Sequence, residues 1–214
     1  MLNPQMPIRI AVLISGGGTN LQALLDAQSA GALSSGRVEL VVSDREGAYG
    51  LERAEKSGCE AVVVRRKGVE QAVFEEELHS VLDRAQIDLV ILAGFLCILS
   101  PDFVKKYPDR ILNVHPALIP SFCGEGYYGL RVHEAALAYG VKVTGATVHL
   151  VNEIPDGGKI LLQKAVEVRE DDTPQSLQQR VMEEAEWILL PRAAEMVAAQ
   201  LLKEKRSKAH DEPI

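Results

Sequence analysis

The chain has 214 residues, 47% hydrophobic and 25% charged, with a formal net charge of −7 at pH 7. That acidity argues against nucleic acid as the main partner, because phosphate binding needs a basic footprint, and no apolar run approaches the ~18 residues of a membrane helix. Cys59, Cys97 and Cys123 form no C-x-x-C pair and MLNPQMPIRI has no signal layout, so the expectation is a cytoplasmic protein with neither a disulfide framework nor a zinc site.

Ile8 to Ile14 (IRIAVLI) is a nearly continuous apolar run, as expected of a central strand covered on both faces. Ser15-Gly16-Gly17-Gly18-Thr19-Asn20 follows, and then Leu21, Leu24, Leu25 and Ala27 keep helical spacing. Strand, glycine turn and helix in this order let the backbone approach a ligand closely and favour an anion at the helix N-terminus. Leu21 stands where a dinucleotide fingerprint needs its third glycine, and no Lys-Ser/Thr pair makes a P-loop. A mononucleotide phosphate therefore fits better than NAD or ATP; the alternative is a turn that only connects strand to helix.

Val38 to Val42 predicts a second strand, Ala48 to Ser57 a short helix ended by Gly58, and Glu60 to Val64 a third strand. Val69 to Ala85 predicts a longer helix with Val73, Phe74, Leu78, Val81, Leu82 and Ala85 on one face and His79 solvated on the other. Asp88 to Ala93 predicts a fourth strand, and Ser100-Pro101 opens a short helix through Lys106. Alternation of β and α at this rhythm predicts an α/β, doubly wound, mostly parallel sheet with right-handed crossovers. Ligands of such sheets bind at the carboxyl ends of the strands. Ser15–Asn20, Gly94–Leu99 and Asn113–His115 are those ends, and they should line one crevice.

The third of them is the most informative. Arg110 to His115 leads into Pro116, which cannot donate to a sheet ladder and should finish the strand. Asn113 and His115 face one side together. An amide and an imidazole at a strand end suit a carbonyl oxygen that gains negative charge, or else merely satisfy local backbone groups. Ser121 to Gly129 (SFCGEGYYG) carries three glycines and two tyrosines and reads as a mobile loop able to close over a substrate. A helix over Val132 to Tyr139, a strand over Lys142 to Val151 and a strand over Lys159 to Ala165 come next. His149 reads as a strand residue that orders a site without reacting, and His133, at a helix start, is a weaker candidate. Between the last two strands, Asp156 precedes two glycines; it is a turn former, or a carboxylate bent back over the His115 strand. Thr173-Pro174 opens a long C-terminal helix with Leu177, Val181, Ala185, Ile188 and Leu189 on one face and a kink at Pro191. The charged segment 203–214 should fray, and His210 within it carries no role.

Together these pieces resemble the phosphoribosylglycinamide formyltransferases (glycinamide ribonucleotide transformylases) of purine synthesis. The resemblance runs from about Ile8 to Val197 and rests on IAVLISGGGTNLQALL, SDREGAYGLERA, DLVILAGFLCILSP, ILNVHPALIPSF and GATVHLVNEIPDGG. It implies a Rossmann-like formyltransferase fold in one domain over 1–202. It further implies formyl transfer from 10-formyltetrahydrofolate, as co-substrate, to the amine of glycinamide ribonucleotide, without metal or covalent enzyme intermediate. By the same resemblance Asn113, His115 and Asp156 form the catalytic set, with Asp156 favouring the charged form of His115. Gly17, Gly18, Thr19 and Asn20 hold the nucleotide phosphate, Glu186 the ribose hydroxyls, and the turn Leu96-Cys97-Ile98-Leu99 the folate. Cys97 departs from relatives that have Arg there, which removes one side-chain contact, and Phe122 to Tyr128 departs from shorter versions of the loop. The rivals are methionyl-tRNA formyltransferases and formyltetrahydrofolate deformylases, which carry further domains that this length does not accommodate, and a non-catalytic nucleotide-binding module, for which the Asn/His/Asp trio has no use.

Overall fold

A computed structural model describes residues 6–211. Seven strands form one sheet: β1 (Ile8–Ile14), β2 (Gly36–Ser43), β3 (Glu60–Val63), β4 (Leu89–Leu92), β5 (Ile111–His115), β6 (Val143–Leu150) and β7 (Ile160–Glu167), in the order β3-β2-β1-β4-β5-β6-β7. The first five run parallel, and β6 and β7 are antiparallel to their neighbours. The helices are α1 (Thr19–Ser29), α2 (Tyr49–Lys56), α3 (Gln71–Arg84), α4 (Pro101–Lys105), α5 (Leu130–Tyr139), α6 (Pro174–Val181) and α7 (Trp187–Asp211).

The apolar run of β1 is buried on both faces because its side chains alternate between two cores. Ile8, Ile10, Val12 and Ile14 join a cluster with Leu21 and Leu24 of α1, Ala54 of α2 and Leu190 of α7. Ala11 and Leu13 join the opposite cluster, with Phe74 and Leu78 of α3 and Phe103 of α4. Full burial of each large apolar side chain contributes about 1.5–3 kcal/mol, so the middle of the sheet is rigid where the loops above it must be held. Among the described residues no helix is long and apolar enough to cross a membrane.

Three helix faces differ from expectation. Val73 is 54% exposed, while Phe74, Glu75, Leu78 and Leu82 turn inward; Glu75 accepts from Ser100 N at 2.7 Å and from the Ser100 hydroxyl, tying α3 to the start of α4. His79 is half-buried, not solvated, with Nδ1 2.7 Å from the Tyr107 hydroxyl. Ile188 is 40% exposed, whereas Leu189, Leu190, Ala193 and Ala194 are buried. The cause of the last is a π turn over Met182–Glu186 between α6 and α7. Its extra residue advances the phase of the helix, so the face that held Leu177, Val181 and Ala185 continues through Leu189 and Leu190 and leaves Ile188 outside. The same turn swings Glu186 inward, to 6% exposure. Pro191 lies within α7, and the segment expected to fray from 203 is helical through Asp211; 212–214 lie outside the described residues.

Candidate active site

In this strand order the chain returns from the β3 edge to place β4 beside β1, and the crevice opens over the carboxyl ends of that pair. The glycine turn after β1 and the Gly94 turn after β4 are joined directly: Ser15 N donates to Gly94 O at 3.2 Å, and Leu96 N donates to Ser15 Oγ at 2.9 Å. Gly18 sits in the left-handed region, at φ +71°, and a Cβ there would lie 2.7 Å from Gly50 Cα. Gly50 is equally constrained, since its Cβ would meet Ile14 Cδ1 at 2.4 Å. Glycine at both positions lets the start of α2 close against the turn. Arg53 of α2 completes the clamp, donating from Nε to Gly17 O at 2.9 Å and from Nη1 to Gln22 Oε1 at 2.9 Å. Gly17 itself has open space where a Cβ would stand. The N–H groups of the first turn of α1 lack intrahelical partners and face a cleft of about 700 Å³.

All of the residues nominated from the sequence line that cleft. Beside the glycine turn, Asn20 Nδ2 donates to Glu186 Oε2 at 2.6 Å, and Thr19 Oγ1 lies 3.8 Å from Met182 Sδ. Burial raises the Glu186 carboxyl to about 7, with the Asn20 bond opposing. Burial thus favours the protonated form of Glu186, which can donate as well as accept. In the turn after β4, Leu96 and Ile98 are more than half exposed while Cys97 turns down to donate from Sγ to Asp44 Oδ2 at 3.3 Å. Asp44 also holds Arg45 through two hydrogen bonds, at 3.0 and 2.8 Å. Burial, together with the Asp44 hydrogen bond and charge, pushes the Cys97 thiol up to about 12. It is a neutral donor and no nucleophile.

In the same cleft, β5 and β6 pair Asn113 with His149 and His115 with Thr147. The turn after β6 brings Asp156, at φ +55°, over that pair. Asp156 Oδ2 accepts from Gly124 N at 2.8 Å and lies 3.5 Å from His115 Nδ1; Oδ1 lies 3.4 Å from Asn113 Nδ2 and 3.5 Å from His149 Nε2. His115 Nε2 is 2.8 Å from Phe122 O. A carbonyl only accepts, so Nε2 carries the proton and neutral His115 turns a bare Nδ1 toward the carboxylate. By the same argument His149 Nδ1, 2.8 Å from Leu150 O, carries its proton, and its Nε2 accepts from Asn113 Nδ2 at 3.2 Å.

Burial lowers the His115 pKa from 6.5 by more than the Asp156 charge and the Phe122 carbonyl raise it, and His149 lowers it further. This corrects the expectation of a charged His115: in the free protein the imidazole is neutral at pH 7. For Asp156, burial opposes ionisation, but in the acid range where it titrates both imidazoles are protonated, and the His149 hydrogen bond, the His115 charge and the Gly124 N–H outweigh burial and hold the carboxyl below 3.8. The loop expected to be mobile is tied to the site at two points, through Phe122 O and Gly124 N, while Glu125 to Tyr128 stay exposed.

Sequence reasoning missed one residue of this site and ranked another low. Arg53 sits on the polar face of an amphipathic helix and carries no signal of its own. His133, set aside as a helix-start residue, is 0% exposed and lines the cleft. Among the described residues, no group of three or more His, Cys, Asp or Glu side chains is arranged to hold a metal ion.

Residues 8–193 match the family model described as formyl transferase. The chain is 44% identical over 192 residues to the trifunctional purine biosynthetic protein adenosine-3 of Homo sapiens, covering 89% of this chain and 18% of that protein. It is 40% identical over 178 residues to the chloroplastic phosphoribosylglycinamide formyltransferase of Arabidopsis thaliana, covering 82% of this chain and 61% of that one. The chain thus spans less than two thirds of the length of either relative. Among solved structures, glycinamide ribonucleotide transformylase 1 from Symbiobacterium toebii is similar with a TM-score of 0.84 at 42% identity, over 91% of this chain and 89% of that one. The corresponding enzyme from Geobacillus kaustophilus gives 0.83 at 36% identity, over 90% and 100%.

Proposed function

The chain belongs to the formyl transferase family, and from that premise we propose that it transfers a formyl group from 10-formyltetrahydrofolate to the amine of glycinamide ribonucleotide, within one domain over 1–202 acting in the cytoplasm. The observation that carries this reading is the convergence of Asn113, His115 and Asp156 in one cleft that the glycine turn and the Leu96–Leu99 turn also line.

In this reading the phosphate docks on the backbone of Gly17, Gly18, Thr19 and Asn20, and Glu186 takes the ribose hydroxyls. The folate lies against Leu96, Cys97, Ile98 and Leu99. Holding amine and formyl carbon together supplies much of the acceleration. Attack forms the new C–N bond and a tetrahedral carbon whose oxygen becomes negative. Every donor that would face this oxygen has a partner in the free protein: both hydrogens of the Asn113 amide lie toward His149 and Asp156, and His115 Nε2 bonds Phe122 O. Substrate binding exchanges these partners for the formyl oxygen, which keeps the donors dry and pre-aimed. As the amine sheds its proton, His115 can take it at Nδ1, against the Asp156 carboxylate. The same proton then passes, directly or through water, to the folate nitrogen that leaves as the old C–N bond breaks.

The deciding experiment is a spectrophotometric assay of the purified chain with glycinamide ribonucleotide and a 10-formyl folate. Formylated nucleotide should accumulate in step with tetrahydrofolate, with activity that survives EDTA. Release of free formate with no nucleotide product would return the protein to the hydrolase relatives.

A further inference from the structure

Among the described residues, three carry buried side-chain polar atoms with no hydrogen-bond partner: Asn20, His133 and Trp187. Asn20 and His133 border the cleft; for His133 both ring nitrogens are orphaned although the residue is 0% exposed. A buried polar group without a partner is costly, and one beside a cleft is satisfied when a ligand arrives. His133 lies on α5, which packs against α6, and Gln178 of α6 with Met182 and Glu186 of the π turn line the same cleft. The wall it belongs to thus also carries Glu186, the residue proposed above for the ribose hydroxyls.

We infer that His133 is a positioning residue for the acceptor substrate, its imidazole taking up a hydroxyl or amide group of the nucleotide at the inner wall of the cleft. The inference rests on the function proposed above. Burial, with neighbouring His115 adding to it, lowers the His133 pKa to about 4. The ring is therefore neutral at working pH, with one donor and one acceptor. A ring of that kind matches a hydroxyl or an amide, which offer both roles, better than a phosphate, which calls for positive charge.

The test uses the full chain labelled with ¹⁵N at histidine. Glycinamide ribonucleotide alone should shift the His133 ring nitrogens, and tetrahydrofolate alone should leave them in place. His133→Phe keeps an aromatic ring without polar atoms. It should raise KM for glycinamide ribonucleotide roughly tenfold, the scale of one hydrogen bond to a buried group, with KM for the formyl donor changed by less than about twofold. Its thermal midpoint should hold or rise, because two orphaned nitrogens are gone, and His133→Gln should restore most of the lost affinity. An unmoved His133 resonance at saturating nucleotide overturns the inference, and that measurement stands even if the Phe variant fails to fold. Equal increases in both KM values overturn it too, by marking a packing role. An unaltered chain that binds the nucleotide but does not formylate it would instead count against the proposed reaction.

Discussion

The sharpest test of the chemistry is Asp156→Asn. The substitution is nearly isosteric; asparagine tolerates the φ of +55° at this position, and its carbonyl oxygen can still accept the Gly124 N–H. The fold should therefore be kept, with the thermal midpoint at pH 7 lowered only by what the Asp156 charge contributes to stability. What disappears is the negative charge 3.5 Å from His115 Nδ1. At an effective dielectric near 20, that charge would stabilise an imidazolium by about 5 kcal/mol, a ceiling of roughly 3,000- to 5,000-fold in rate. The amide dipole recovers part of it, so the expected loss in kcat is roughly 10²-fold. Because free His115 is already neutral, the loss should fall on kcat with both KM values nearly unchanged. Losing the group whose charge raises the His115 pKa should depress it further, which NMR on the free protein can follow. Asp156 is ionised above its depressed pKa and contributes stability there that vanishes as pH falls through that value; the Asn variant should lack this acid-side loss. Normal turnover with an unmoved His115 titration would return Asp156 to the role of a turn former.

Asn113→Ala and His115→Ala should each lower kcat by roughly 10²-fold, with a double mutant well short of the product because both serve one oxygen; near-native kcat in the His115 variant would refute the mechanism. Gly17→Ala should weaken nucleotide binding in calorimetry while leaving folate binding and the melting curve intact, since its Cβ enters open space on the cleft side. Gly18→Val should instead lower the thermal midpoint and affinity for both ligands, because its Cβ meets the Gly50 backbone. His133 offers a pH test: a folded pKa of about 4 against 6.5 in the unfolded chain means stability present above pH 6.5 and lost by about 3 kcal/mol as pH falls toward 4. Urea titrations at both pH values should show that loss, and His133→Phe should reduce it. Glu186→Gln should remove the cost of ionising a buried carboxyl, so it should gain stability relative to the parent as pH rises through about 7, while nucleotide affinity drops roughly tenfold; equal stability profiles would refute the buried-acid reading.

Much of this architecture is local information. An apolar run too continuous for a half-exposed strand identified β1 as central, and the rhythm of strands and helices dictated a parallel sheet with its ligands at the carboxyl ends. Period-2 geometry put Asn113 and His115 on one face, and Pro116 ended their strand. The same local rules left open whether Asp156 was a turn former or a site residue, because they cannot measure how far a turn folds back over a neighbouring strand; the antiparallel β5–β6 pairing is what brings its carboxylate within 3.5 Å of His115. Helical periodicity misassigned Ile188, since a π turn breaks the period without a residue type that announces it, and that break is what aims Glu186 at Asn20. The protonation of His115 was equally out of reach. Sequence names a carboxylate partner, but only the packed structure says how much water both groups have lost, and here desolvation wins. The orphaned nitrogens of His133 belong to the same class of fact, because whether a buried polar atom has a protein partner within reach is settled only by the tertiary fold.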